Sequence, residues 1–362
     1  MSDTTNPSPA PTRAPRKAAP TWRIFSPDAI GWAMIIGLAF LAIAPTTAYI
    51  AGHTFWLDVF TRLVILAIAA VSLNLVLGYG GLVSFGHAAF IGLGAYAVGV
   101  PVHHYINGEF ESIATVNGWF HIALAVAVSA LYALITGAIS LRTRGVHFIM
   151  ITMAFGQMVF FAIVSIETYG GDDGLTIYER SEFGLININE PLQLYAVAFL
   201  SLCAALFMVH RIVNSRFGMV LRGAMGNEER MKALGYNAYL YRLVAYVISG
   251  AMAGYAGALL GNFTTFISPE MMDWTRSGEL MFMVILGGAG YLFGPVIGTA
   301  VYLLLEEALQ DGMKALQSIF GLETDISIYW HLPFGLLLIL AVLFLRGGIS
   351  GFLSSLTSRR AQ

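Results

Sequence analysis

RIVNSRFGMVLRGAMGNEERMKALGYNAYLYR, residues 211–242, is a polar, basic island between long apolar segments. Six of the chain's 19 Lys and Arg residues fall inside it. Charges of this density are costly in hydrocarbon, so the island must leave the bilayer wherever its flanks cross one. Connections longer than about 12–15 residues are uncommon in compact domains unless they carry a function. The island therefore reads as a segment that docks something in the cytoplasm.

Working outward, 57% of residues are hydrophobic and only 11% are charged. Soluble domains average about 25% charged residues. Several apolar runs approach or exceed the roughly 20 residues that cross a bilayer as a helix. The chain is thus an all-α polytopic membrane protein, one membrane domain over 26–347 flanked by tails at 1–25 and 348–362. The 39 glycines fit, because membrane helices pack closely through small residues. Residues 1–25 are rich in Pro, Ala, Ser and Thr with Arg13, Arg16 and Lys17, and read as a disordered basic tail. They lack the apolar core and cleavage site of a signal peptide. The single cysteine, Cys203, cannot form an internal disulfide and reads as a small packing residue.

Eight full spans are expected near 30–50, 59–78, 82–102, 119–141, 147–167, 193–212, 243–266 and 329–346. A ninth apolar block, 278–305, contains Gly287-Gly288-Ala289-Gly290 and Gly294-Pro295. A single crossing there would put Arg346, Arg359 and Arg360 outside, against the positive-inside rule. Glycine and proline let a helix break within a membrane when protein covers the freed backbone. The block is therefore predicted to be a broken, re-entrant pair of half-length helices. Both termini are then cytoplasmic, and only Arg62, Arg180, Arg276 and Lys314 fall outside. Asp28, Glu167 and Glu279 are expected at span edges.

Residues 72–99, SLNLVLGYGGLVSFGHAAFIGLGAYAVG, hold seven glycines in one apolar region. In transporters, interrupted helices put free backbone groups at the substrate site near mid-membrane. A half-helix N-terminus suits a carboxylate and free carbonyls suit an ammonium, and an amino acid carries both. The competing reading is that these glycines only let helices pack closely. His87 is the ionisable residue of the region, a packed neutral histidine or a proton relay. Gln157 needs an amide partner within the membrane, on a neighbouring helix or in a pore. Asp172 and Asp173 lie in a glycine-rich outer turn, and His103-His104 form a weak metal candidate. No G-x-x-x-x-G-K-[ST] phosphate loop occurs, so ATP, if used, is bound by another subunit. No catalytic triad, zinc motif or redox pair is present, and neither an enzyme nor a nucleic-acid partner is expected.

The stretch LNLVLGYGGLVSFGHAAFIGLGAYAVG resembles the glycine-rich signature of branched-chain amino-acid ABC permeases, specifically the LivM-like subunit. RTRGVHFIMITMAFGQMVFFAI at 142–163 resembles that family's RxRGxYFAxxTLAFG segment. Gly170-Gly171-Asp172-Asp173-Gly174-Leu175 resembles its TGG-x-DGL loop, and Gly287 to Gly298 its LGGxGxxxGPxxG segment. Asn227 to Gly235 resembles its coupling loop, a short helix ended by a glycine turn that seats in an ATPase groove. There are departures: Glu229-Arg230-Met231 stand where the family has small residues, and His147 replaces a tyrosine.

The resemblance implies the ABC-importer permease fold and three kinds of partner besides the lipid bilayer. These are a second, LivH-like permease, two cytoplasmic ABC ATPases that bind ATP, and a periplasmic substrate-binding protein. It implies residence in the bacterial cytoplasmic (inner) membrane and no cofactor in this chain. It makes 214–242 the coupling loop, with Arg216, Gly218, Arg222, Asn227, Glu228, Glu229, Ala233, Leu234 and Gly235 at the ATPase. The translocation path would be lined by Asn74, Ser84, Gly86, His87, Phe90, Gly94, Tyr96, Thr152, Phe155 and Gln157. Branched-chain amino acids are the first choice of cargo, with urea, short amides and aromatic acids as alternatives. A stand-alone secondary transporter is a different class and would more often carry an intramembrane carboxylate. A haem-bearing redox subunit would need histidines stacked in facing helices, which no spacing supports.

Overall fold

The computed structural model describes residues 29–352 except 51, 53, 109–113, 185, 321–325 and 345–346. The expected N-terminal tail and residues 353–362 of the C-terminal one lie outside these residues. Helices α1 (Ala29–Ile50), α2 (Thr54–Asn74), α3 (His87–Asn107), α4 (Gly118–Ser140), α5 (Val146–Val164) and α6 (Pro191–Val213) come first. A single π-helical turn, Leu75–Tyr79, continues α2. Two short helices, α7 (Arg216–Gly226) and α8 (Glu228–Ala233), precede α9 (Ala238–Thr264), α10 (Trp274–Gly287), α11 (Gly294–Phe320) and α12 (His331–Phe344). A two-residue antiparallel pair, β1 (Leu175–Thr176) with β2 (Phe266–Ile267), ties together two of the connections.

Among the described residues six helices are long and apolar enough to cross a membrane: Thr54–Tyr79, α3, α4, α5, α6 and α9. The other two expected spans correspond to shorter apolar stretches in the described residues, Ile35–Ile50 and Ile328–Leu340. Three expectations need correction. The span expected from 82 begins only at His87, because 80–86 is irregular. The basic loop ends at Asn237, since α9 already starts at Ala238. The 278–305 block does break, at 288–293, but its second arm is a 27-residue helix that runs on through the acidic residues to Phe320.

The broken pair does return on itself. Gly287 faces the backbone of Gly294, and Gly298 that of Met283, so α10 and α11 run antiparallel. Asn74 closes the turn between them. Its Nδ2 donates to Tyr291 O and its Oδ1 accepts from Gly290 N, both at 2.9 Å. The segment after α12 returns to the same turn, with Gly348 against Gly288. Gly78 faces the Gly290 backbone in that turn, and Gly81, three residues on, meets Met225 of α7, so this end of the bundle also carries the basic loop.

The core is a sandwich of α2, α3, α4 and α9 held at glycine distance. A Cβ on Gly94 would strike the Gly254 carbonyl, and one on Gly257 the Ile91 carbonyl. Backbones this close gain dispersion contacts that larger side chains would prevent. Ser129 Oγ adds a bond to Phe90 O at 3.1 Å across α3 and α4. By contrast α5 buries only Phe148, Thr152 and Gly156, one i, i+4 stripe.

Candidate functional site

The irregular segment 80–86 starts at the basic-loop end and rises to His87. His87 is fully buried, with Nε2 3.2 Å from both Ser72 Oγ and Ser249 Oγ. Ser249 Oγ in turn donates to Ser72 O. Ser249 lies 15 residues before the end of α9 and 11 after its start, which puts this knot near mid-depth, about 20 Å from either end. The helix interruption is thus real, and α3 begins inside the bundle.

Two bonds fix that beginning. Phe85 N donates to Thr152 Oγ1 at 3.3 Å, and Ala88 N to Ser277 Oγ at 2.9 Å. Ser84 is fully buried with Oγ 3.4 Å from Tyr246 Oη. Phe90 packs edge-on to the rings of His87, Tyr132 and Tyr246. Gly86 lies against the Thr152 backbone and Gly94 against Gly254. Tyr96 is buried a turn further along. Phe155 O accepts from Tyr132 Oη at 2.7 Å, and Gln157 Nε2 donates to Asp273 Oδ2 at 3.1 Å. Asn74 stands apart, in the α10–α11 turn. The structure therefore brings Thr152 to the start of α3 at Phe85 and Gly86, turns His87, Phe90 and Gly94 toward neighbouring core helices, and pairs Phe155 and Gln157 with Tyr132 and Asp273 instead. Both readings of the glycines have a share: Gly94 packs, while the 80–86 stretch interrupts.

The basic loop is an ordered pair of helices. α7 buries Val220, Leu221 and Ala224, and Gly218 lets it pass the Val213 carbonyl. Arg222 Nη2 donates to Val213 O at 3.0 Å. Asn227 caps α8, its Oδ1 accepting from Arg230 N at 2.9 Å. Gly235, at φ +86°, ends it in the left-handed region that glycine enters without strain. Glu228, expected at the ATPase, turns inward. Its Oε1 pairs with Arg144 Nη2 at 2.8 Å and Lys232 Nζ at 3.2 Å, and its Oε2 with Arg242 Nη1 at 2.8 Å. Burial pushes the Glu228 carboxyl up, but bonds from Lys232 and Arg242 and the charges of Arg242 and Arg144 outweigh it and hold it low. Of the residues expected at the ATPase, Arg216, Asn227, Glu229, Ala233, Leu234 and Gly235 are exposed, and Met219, Met225 and Tyr236 are exposed beside them.

Sequence reasoning missed one polar region. Glu279, expected at a span edge, and Arg276, expected outside, sit on α10 beside Ser277, level with the start of α3. Arg62, also expected outside, lies eight residues into α2 and pairs with Glu306 of α11 at 3.2 Å. Arg276 pairs with Glu279 at 3.0 Å. Among the described residues no group of three metal-ligating side chains forms. His104 Nε2 is 3.1 Å from Tyr169 Oη, and His103 Nε2 is 2.9 Å from Asn107 Nδ2.

A family model, branched-chain amino acid transport system / permease component, matches residues 55–346. The chain belongs to this permease family. The permease is 27% identical over 304 residues to the high-affinity branched-chain amino acid transport permease LivM of Salmonella typhimurium, covering 77% of this chain and 69% of that one. It is 25% identical over 258 residues to the LivH permease of Escherichia coli, covering 67% and 80%. It is 23% identical over 232 residues to the nucleoside ABC transporter permease NupC of Lactococcus lactis, covering 58% and 72%. No solved structure matches. The LivM-like resemblance read from the sequence is thereby borne out, and the permease is a multi-pass membrane protein and a transport subunit.

Proposed function

We propose that this permease is one of two membrane subunits of an ATP-driven importer for branched-chain amino acids. The family match over 55–346 carries the reading. Likeness to both LivM and LivH supports a path shared with a second, LivH-like permease. Two cytoplasmic ATPases would bind ATP and seat on α8 and its glycine turn. A periplasmic binding protein would deliver cargo at the opposite end. Both termini and the basic loop then face the cytoplasm across the bacterial inner membrane.

The mechanism follows from the packing. Closure of the ATPases pushes on α7 and α8. Glu228 carries that push to Arg242 at the start of α9 and to Arg144 ahead of α5. α9 is packed at glycine distance on α3 and α4, so the three move together against α10. The residues from Ser84 to Tyr96, with Thr152, Phe155 and Gln157, change exposure as they do.

The cargo rests on the family, and the NupC relative favours keeping a second reading, the same importer class with other small polar cargo. Pull-down of the tagged chain from mild detergent, with mass spectrometry, tests the assembly. Recovery of two ATPases and a second permease is expected, followed by ATP-driven uptake of labelled leucine. Recovery of the chain alone, from membranes that contain those partners, would overturn it.

A further inference from the structure

Helices α1, α3, α4, α5 and α12 carry no Asp, Glu, Lys or Arg. Outside the basic loop, charges within the helices of the described residues concentrate on one face, made by α2, α10 and α11, which runs from the level of the His87 knot to Arg62, ten residues or about 15 Å along α2 from Ser72 of that knot. Arg62 and Glu306 form one pair there and Arg276 and Glu279 another. Tyr302 lies between them, within electrostatic reach of all four. The bond from Ala88 N to Ser277 Oγ fixes the depth of Arg276 and Glu279 at the level of the His87 knot. Arg62 is about 12 Å into α2 from its first residue.

These charges are not sealed inside the chain. Side-chain exposure is 48% for Arg276 and 22% for Glu279, and 42% for Arg62 and 13% for Glu306. Lipid cannot cover Arg276 and Glu279, because ionisable groups at mid-depth face a protein interior or water, and the Arg62–Glu306 pair continues the same polar face outward. The rest of the outer surface looks different: Phe40 on α1, Leu134 on α4, Phe161 on α5 and Leu200 on α6 are exposed and apolar. A dry protein seam would also fail to match half-exposed ion pairs unless it supplied matching charges. Water satisfies every one of them at no geometric cost.

We infer that this strip is the hydrated wall of the central path, facing the second permease, and that its ion pairs receive the carboxylate and ammonium of a zwitterionic cargo in transit. This rests on the permease reading above. Each pair presents both signs within a few ångströms, so an amino acid can exchange partners with it without leaving a charge uncompensated. A strip of pairs gives weak, repeated contacts, which suit passage rather than storage.

The test uses the assembled importer in membrane vesicles, in a Cys203→Ser background, with a water-soluble cationic methanethiosulfonate reagent. Thr275→Cys places a thiol beside the strip, and Arg276→Cys is the second variant should the first fail to assemble. Leu200→Cys, 67% exposed on apolar α6, is the lipid-facing control. Only the thiolate reacts, so a hydrated site should be modified about tenfold or more faster than the control. Modification should stop ATP-driven leucine uptake, and excess leucine should slow modification. Strip thiols as unreactive as Leu200→Cys, in vesicles whose parent protein transports, would overturn the inference while leaving the permease reading intact. Failure of the parent to bind ATPases at all would instead overturn the permease reading, and the shared path with it.

Discussion

Glu228 on α8 and Arg242 on α9 form a 2.8 Å ion pair that fastens the basic loop to the longest helix of the core. Arg242 Nη2 also donates to Ala224 O at 3.0 Å, so one guanidinium holds both short helices. Exposed pairs contribute little, about 0–1 kcal/mol. The value of this one lies in geometry, since in the proposed mechanism it would join the element that is pushed to the element that moves. Glu228→Gln should leave membrane insertion intact and reduce both ATP-driven uptake and its coupling to ATP hydrolysis. Arg242→Gln should do the same, and the double variant should be little worse than either single. Additive losses would show that the two residues act separately.

The same pair sets a pH dependence. The folded-state carboxyl of Glu228 lies below its ordinary value of 4.5, so the stabilisation is fully present above that value. It is lost as pH falls through the lowered folded value. The loop's contribution to coupling should therefore hold through mildly acidic conditions and fail only in stronger acid. Vesicle ATPase coupling measured down the acid limb should fall at higher pH in Arg144→Gln, which removes one of the charges holding the carboxyl low.

Gly235 closes α8 at φ +86°, with its N–H bonded to Lys232 O at 2.9 Å. A side chain in that left-handed conformation costs about 1–2 kcal/mol, and proline would lose the N–H as well. Gly235→Pro should unseat the turn, abolish uptake and co-purification of the ATPases, and leave the helices inserted. Normal uptake in that variant would remove the turn from the coupling route.

Much of this was legible in the residues themselves. Apolar runs located the long helices to within a few positions, and Gly288 with Pro295 marked the break between α10 and α11. The loop's glycine stop, Gly235, is expected from the family resemblance, and the Asn227 cap is seen only in the structure. The misplaced features all depend on partners remote in sequence. Arg62 and Glu306 are 244 residues apart, so nothing local said that Arg62 has a carboxylate partner on α11. Arg144 and Glu228 are 84 apart, so nothing local said that Glu228 faces inward. The far arm of α11 reads as a loop because Glu306, Glu307, Asp311 and Lys314 dilute its hydropathy. Strong helix formers carry it on to Phe320.

Asn74 is fully buried and spends both ends of its amide on the α10–α11 turn. Asn74→Leu keeps the branched shape in a bulkier form but strips Gly290 N of its acceptor, at a cost of about 1–3 kcal/mol for a buried donor left unpaired. Asn74→Asp keeps that acceptor and loses the donor to Tyr291 O. Thermal unfolding of the purified chain should rank native above Asn74→Asp and Asn74→Leu lowest. Equal stabilities would mean that the turn holds its shape without the clamp.

Gly257 and Gly261 lie one turn apart on α9 and face the same helix, yet they should respond oppositely to alanine. A Cβ on Gly257 would run into the carbonyl of Ile91, which is helix backbone and cannot swing aside. At Gly261 the nearest atoms are the Cα and Cβ of Ala95 at 3.4 Å, an ordinary contact. Overpacking typically costs about 1–3 kcal/mol, whereas Gly to Ala in an unstrained helix gains up to about 1 kcal/mol. Gly257→Ala should lower the unfolding temperature and spread α3 from α9, and Gly261→Ala should hold or raise it. Because α3 begins at the interrupted segment, the first substitution should also weaken uptake. A tolerated Gly257→Ala with full uptake would show that α3 and α9 are not rigidly joined, and the shared motion proposed for them would fail.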